Sequence, residues 1–233
     1  MNYSIIIPVL NEEKNLSKLI PEIFVRLKKV NFELIIIDDN SKDNTSVVIK
    51  RFKRKNLKYF IRKKDKDLSR ACIYGFEKSK FKNVIVMDGD FQHKPKDILK
   101  LISSFEKNKA DIVIGTRNLF KKNDKSLSFL RLNASRILVL FVSFFLGRKT
   151  KDPMSGFFIF RKEIFQNSKK NLLKEGYKIL LDLIYTKENY KKKILDIPIN
   201  FDSRKKGKSK MKLNIIFKLI KMILIKYYIL YIK

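Results

Sequence analysis

The sequence predicts an α/β fold with a mostly parallel central sheet and helices on both faces. Three observations carry this. Short, near-continuously apolar runs alternate with longer amphipathic segments over residues 3–117. Strands covered on both faces read as such unbroken runs, and their alternation with helices implies parallel pairing through right-handed crossovers. Each run also ends in a polar cluster, and ligands of open α/β sheets sit at the carboxyl ends of the strands.

The elements follow in order. "YSIIIPVL" and "FELIIIDD" are rich in β-branched residues and read as the first two strands. Between them, "EEKNLSKLIPEIFVRLKK" has helical spacing, with acids first and lysines last to suit the helix dipole. "DNTSVVIKRFKRK" predicts a second helix capped by the side chain of Asp43 or Asn44. Then come "LKYFIRK" (strand), "LSRACIYGFEKSK" (helix), "NVIVMD" (strand), "KPKDILKLISSFEKN" (helix) and "ADIVIGTR" (strand). Residues 129–147 begin basic and become apolar from Ile137 to Leu146, too short a run to span a bilayer, so they predict an amphipathic interface helix. In residues 212–233, Asn214, Lys218 and Lys221 share one helical face and Lys226 lies near it. That pattern fits a C-terminal amphipathic membrane-associating helix, with a small partner membrane subunit or the protein's own core as the alternative docks. Residues 1–211 are expected to form one catalytic domain.

Fifty-four Lys+Arg against 23 Asp+Glu give a net charge of +31, which favours anionic partners: nucleic acid, phosphorylated small molecules or an anionic membrane face. The chain is also rich in Lys, Ile, Asn and Phe and poor in Ala, Gly and Trp, as an A/T-biased coding sequence would be, so charge alone selects no partner. With 45% hydrophobic residues the chain can bury a core, which excludes global disorder. The single Cys72 excludes an internal disulfide and fits a reducing compartment. Met1 leads directly into the first strand without a basic n-region, so the functional end is expected on the cytoplasmic face of a membrane.

Four polar clusters should meet on one sheet edge: Asn11-Glu12, Asp38-Asp39, Asp88-Gly89-Asp90 and Thr116-Arg117. Asp88 and Asp90 at a strand end place both carboxylates within reach of one divalent cation, and hard oxygen ligands suit Mg²⁺ or Mn²⁺ holding a diphosphate. Gly89 leaves room for a ligand to approach the backbone. Asp39 reads either as an acceptor for a base or ribose or as a helix cap or Asx-turn, and Glu12 as a nucleoside contact or a first-turn dipole partner. His93, the single histidine, reads as a loop hydrogen-bonder and not as a ligand or general base.

"PVLNEE", "DDNSKDNT", "MDGDFQHKP", "GTR", "RLNASR", "DPMSGFFIF", "EGYKILLDL" and "RKKGKSKM" occur in one order over residues 3–211. Together they resemble the inverting family 2 glycosyltransferases, and within them the dolichyl-phosphate (polyprenyl-phosphate) mannosyltransferases. The resemblance implies the GT-A nucleotide-diphospho-sugar transferase fold. It implies that Pro8, Asn11, Glu12 and Asp39 hold the nucleoside, with Ile37 contributing backbone or pocket wall, and that Asp88, Asp90 and Gln92 bind Mg²⁺ or Mn²⁺ with Gly89 against the donor. It places Arg117, Arg131 and Ser135 on the lipid phosphate, and Lys178, Arg204 and Lys210 on the donor diphosphate. It gives Asp90, Arg117 and Arg131 catalytic weight and puts Asp152, Ser155 and Gly156 along the sugar and acceptor. The implied partners are GDP-mannose or another nucleotide sugar, dolichyl or polyprenyl phosphate, and a membrane surface. An acceptor phosphate, with a second pKa of about 6, attacks without a general base.

Three other readings remain open on the sequence. UDP-glucose could replace GDP-mannose, with undecaprenyl phosphate as acceptor. Transfer to a polysaccharide would call for a base carboxylate, for which Asp152 is the candidate. A basic RNA-binding protein is disfavoured, because no RNA-recognition signature appears and strand-end acids would repel phosphates.

Overall fold

The computed structural model of the protein describes residues 1–117, 129–174, 178–202 and 213–233, and the side chains of 129–131 and 213–216 are not part of that description. Seven strands form one sheet: β1 (Asn2–Val9), β2 (Asn31–Asp38), β3 (Leu57–Ile61), β4 (Asn83–Val86), β5 (Ile112–Thr116), β6 (Phe158–Arg161) and β7 (Ile194–Pro198). Their order is β3-β2-β1-β4-β6-β5-β7. All pairings are parallel except those of β6, which runs antiparallel to both β4 and β5.

The alternating side chains of the strands fill two separate cores. Ile5, Ile7, Leu34 and Ile36 pack with Leu16, Leu19, Ile20 and Ile23 of α1 (Glu13–Arg26), with Val48 and Ile49 of α2 (Thr45–Lys50), and with Ile98, Leu101 and Phe105 of α4 (Lys96–Lys107). Ile6, Ile35, Ile37, Val84 and Val86 face the opposite way, onto α3 (Leu68–Lys78), α5 (Phe129–Leu146), α6 (Lys162–Ser168), α7 (Ile179–Ile184) and α8 (Leu213–Tyr231). Burial on both faces is why these strands are apolar without interruption. Asp43 caps α2, accepting from the Thr45 N–H at 3.1 Å and the Thr45 hydroxyl at 2.6 Å, whereas the Asn44 side chain makes no cap bond.

Two strands are illegible in the sequence. β5 ends at the carboxyl edge at Thr116, and β6 starts from that same edge at Phe158, antiparallel to both β4 and β5. This reversal brings the segment preceding β6 to the carboxyl ends of β4 and β5. β7, parallel to β5, delivers residues 199–202 to the same place, where the Ile199 N–H donates to the Thr116 carbonyl at 3.0 Å.

The C-terminal helix departs from the expectation at one residue. Lys218 and Lys221 are exposed, but Lys226, read as close to the polar face, is 1% exposed and ion-paired at 2.6 Å with the fully buried Asp182 of α7. Leu219, Met222, Ile223 and Lys226 repeat at i, i+3, i+4 and i+7 and form the buried face. Phe217, Leu224, Tyr228 and Tyr231 are exposed. No described helix is long and apolar enough to cross a membrane.

Candidate active site

The carboxyl edge of the sheet gathers what the strand ends promise. On the β1–β2 side, Asn11 adopts φ 55°, a left-handed conformation that asparagine tolerates. Its N–H donates to the Ser41 hydroxyl at 2.8 Å, and its side-chain oxygen accepts from the Lys42 N–H at 2.7 Å, which ties the two loops together. The Glu12 N–H donates to the Thr45 hydroxyl at 3.0 Å, and the buried Glu12 carboxylate accepts from the Asn15 amide at 2.7 Å. Pro8 and Ile37 are partners in the β1–β2 register. The Ile37 side chain is fully buried against α3, near the position a Gly75 Cβ would take, so it forms core and not pocket wall.

Asp38 and Asp39 divide the work at the end of β2. Asp38 holds its own turn, accepting from the N–H and hydroxyl of Ser41 and from the Tyr59 hydroxyl at 2.7 Å. Asp39 is neither a helix cap nor an Asx-turn. It takes an ion pair from Arg62 at 2.5 Å and the Asp67 N–H at 2.9 Å. Arg62 also donates to the carbonyls of Asp65 and Asp67, so one guanidinium organises the β3–α3 loop around Asp39. Burial pushes the Asp39 carboxyl up, and Arg62 and the Asp67 amide only partly offset that.

Asp88 and Asp90 follow β4, and Asp90 accepts the Gln92 N–H at 3.1 Å. A Cβ on Gly89 would lie 2.8 Å from Val9 Cγ1 and 3.3 Å from Ile7 Cγ2, so this glycine permits the close approach to β1. Gly156 has the more direct role, because a Cβ there would fall 2.2 Å from Asp88 Oδ2: the carboxylate occupies the space of the missing side chain. Among the described residues no group of three or more His, Cys, Asp or Glu gathers as a metal cage. Two carboxylates, one seated in that cradle, match the way Mg²⁺ and Mn²⁺ are held when substrate phosphates complete the shell. Gln92 donates its side-chain amide to the Asp202 carbonyl at 2.8 Å, and the Asp202 N–H donates back to the Gln92 carbonyl at 3.1 Å.

The segment before β6 supplies the acceptor side. Asp152, fully buried, grips Arg117 with two parallel bonds, from Nε at 2.7 Å and from the guanidinium Nη2 at 2.8 Å. Burial, the largest single influence, raises this carboxyl, but the charge and hydrogen bonds of Arg117 together with the nearby Lys178 outweigh it and hold the group below its ordinary value. Ser155 donates to the Gly115 carbonyl at 2.7 Å, so both β5 and its end are stapled to this loop. The Arg117 guanidinium also lies over the Phe201 ring at 5.3 Å. Lys178 donates to the Met154 carbonyl at 2.9 Å. Burial and then Arg117 push its ammonium below its ordinary value, while Asp88, Asp152 and Asp90 push back, so all four charged groups lie within one field.

Ser135 is buried on α5, on the face shared with Leu132 and Val139, which packs against Met154 and Leu219. Arg204 and Lys210 lie outside the described residues, as does the side chain of Arg131. His93 departs from the expected loop hydrogen-bonder. It is 1% exposed, stacked on Phe157 at 5.0 Å with Phe201 edge-on at 4.9 Å, and its Nδ1 has no hydrogen-bond partner among the described residues. Burial lowers its pKa to about 4 against the opposing pull of Asp90, so the ring is neutral near pH 7. Phe201 and Asp202 are site residues that the sequence reading missed; the polar turn after "ILDIPI" is their only local signal.

The family model described as Glycosyl transferase family 2 matches residues 4–168. The chain is 36% identical over 220 residues to the dolichol-phosphate mannosyltransferase of Pyrococcus furiosus, covering 93% of this chain and 61% of that protein. It is 28% identical over 226 residues to the dolichol-phosphate mannosyltransferase of Saccharomyces cerevisiae, covering 91% of this chain and 81% of the yeast protein. The chain thus spans about three fifths of the Pyrococcus relative's length. Among solved structures, glucosyl-3-phosphoglycerate synthase from Mycobacterium tuberculosis in complex with Mn²⁺, uridine diphosphate and phosphoglyceric acid superposes with a TM-score of 0.72 at 16% identity, covering 97% of this chain and 77% of that one. That likeness is one of fold, and it bears out the GT-A architecture expected from the sequence.

Proposed function

Because the chain belongs to glycosyl transferase family 2, we propose that it transfers mannose from GDP-mannose to the phosphate of dolichyl or another polyprenyl phosphate, with inversion. The observation that carries this reading is the Asp152–Arg117 pair. A sugar hydroxyl acceptor needs a base, and Asp152, the candidate for one, is fully buried and committed to Arg117 in two bonds. A phosphate monoester is already largely ionised near pH 7 and needs none. Arg117, held rigidly at the end of β5, and Arg131 bind its oxygens, with Ser135 on the same helix as Arg131.

On the donor side, Asn11, Glu12 and Asp39 hold the nucleoside, and Lys178, Arg204 and Lys210 neutralise the diphosphate. Asp88 and Asp90, with Gln92, hold Mg²⁺ or Mn²⁺, which supplies charge neutralisation for the diphosphate. The enzyme works at the cytoplasmic face of a membrane, resting there through the exposed apolar residues of α5 and α8 or through a small membrane subunit.

A donor panel tests the proposal. Purified protein, polyprenyl phosphate and Mn²⁺ or Mg²⁺ are given radiolabelled GDP-mannose, UDP-glucose or UDP-N-acetylglucosamine. Organic-phase label from GDP-mannose alone is the expected result. Label from a UDP-sugar alone would move the donor assignment while keeping the acceptor, and label in water-soluble polymer would overturn both.

A further inference from the structure

The burial of His93 is costly and unexplained by packing. The ring lies between Phe157 and Phe201, where a phenylalanine would fit, and one of its nitrogens has no hydrogen-bond partner among the described residues. A buried polar atom without a partner costs about 1–3 kcal/mol. The other nitrogen, Nε2, points at Asp88 and lies 3.8 Å from Oδ2. The same oxygen rests in the space opened by Gly156. Phe157, on which the imidazole stacks, follows Gly156 directly, so one β6-entry segment fixes both the ring and the cradle.

We propose that His93 and Gly156 form a clamp that sets the orientation of the Asp88 carboxylate: Gly156 receives Oδ2 and the His93 Nε2–H donates to it. A neutral imidazole carries one N–H, and Nε2 is the nitrogen that faces an acceptor. The separation of 3.8 Å is longer than a hydrogen bond. Asp88 is one-third exposed and its terminal torsion is broad, so a small rotation within the Gly156 cradle, a movement of under about 1 Å, closes the gap. His93 is thus a positioning residue that acts through Asp88. The inference rests on the reading above, in which Asp88 holds the divalent cation. Fixing a ligating carboxylate from behind is the task of an outer-shell partner, whose loss weakens metal affinity about 10–100-fold.

The test is Mn²⁺ affinity of the full chain, measured by titration with and without GDP, alongside thermal melting. His93→Phe keeps the ring contacts and deletes the unpartnered nitrogen, so its melting temperature should not fall, while Mn²⁺ binding weakens at least about 10-fold. His93→Gln restores a donor near Nε2 and should recover Mn²⁺ affinity to within about 3-fold of wild type. Gly156→Ala drives a Cβ into Asp88 and should weaken Mn²⁺ as His93→Phe does, which keeps the proposal testable if the phenylalanine variant misfolds. Unchanged Mn²⁺ affinity in a folded His93→Phe or Gly156→Ala protein would overturn the clamp alone. Equal loss in His93→Phe and His93→Gln would overturn the donated bond. Wild-type protein that binds no Mn²⁺ even with GDP would overturn the metal reading and the clamp with it.

Discussion

Replacing Lys226 by methionine separates two accounts of the C-terminal helix. In the structure the ammonium lies 2.6 Å from Asp182 Oδ1 and donates to the Asp182 carbonyl at 3.0 Å, with both side chains almost wholly removed from water. Methionine fills a similar volume but leaves a buried carboxylate without its cation, a change that costs about 3–5 kcal/mol. Asp182 keeps two backbone donors, the N–H groups of Leu173 and Lys174 at 3.1 Å each, so the lower end, about 3 kcal/mol, is expected. For a domain of this size that lowers the melting temperature by about 6–12 °C. The assay is a thermal melt in detergent-free buffer, repeated with Asp182→Asn and the double variant. Removing the stranded charge should make the double variant more stable than the sum of the singles by more than about 1 kcal/mol. If Lys226 instead sat on a water-facing stripe, the single substitution would fall within about 0.5 kcal/mol of wild type. That result would refute the docked helix.

The remaining predictions concern the site. Asp90→Asn should reduce transfer by about 10²-fold or more while leaving the melt unchanged, because Asp90 stands at the sheet's edge and not in either core. Asp152→Asn should leave Arg117 with an uncompensated buried contact, destabilising the protein by about 3 kcal/mol and weakening acceptor use in the organic-phase assay. The folded-state pKa of Asp152 lies below its unfolded value of 3.8, so its contribution is complete above that value and is lost as pH falls through the folded one. Urea midpoints followed from pH 6 to pH 2 should accordingly drop less steeply in Asp152→Asn than in wild type. Arg62→Ala removes the cation that opposes the burial-driven rise of the Asp39 pKa and the anchor of the β3–α3 loop; calorimetry should show GDP binding weakened by about 10-fold.

The sheet's parallel half, and the chemistry at its edge, can be read from the residues in order. β1, β2, β4 and β5 are legible because burial on both faces demands unbroken apolar runs, and the polar residues that stop each run are the ones the carboxyl edge collects. Asp39, Asp88, Asp90 and Arg117 are all found this way. The packing roles of the glycines were not: Gly89 also permits the close approach to β1, and Gly156 makes the space that Asp88 uses. Nor could helical periodicity tell that Lys226 faces inward, because its justification is a carboxylate 44 residues away. The sequence likewise left Asp152 open as the base that a polysaccharide acceptor would need, whereas in the fold Arg117, 35 residues earlier, holds it. Tertiary structure alone decided these points by running β6 against its neighbours, which carries residues 152–157 to the sheet edge. Local sequence encodes which side chains leave water. Which buried charge meets which is settled only when distant strands close on one another.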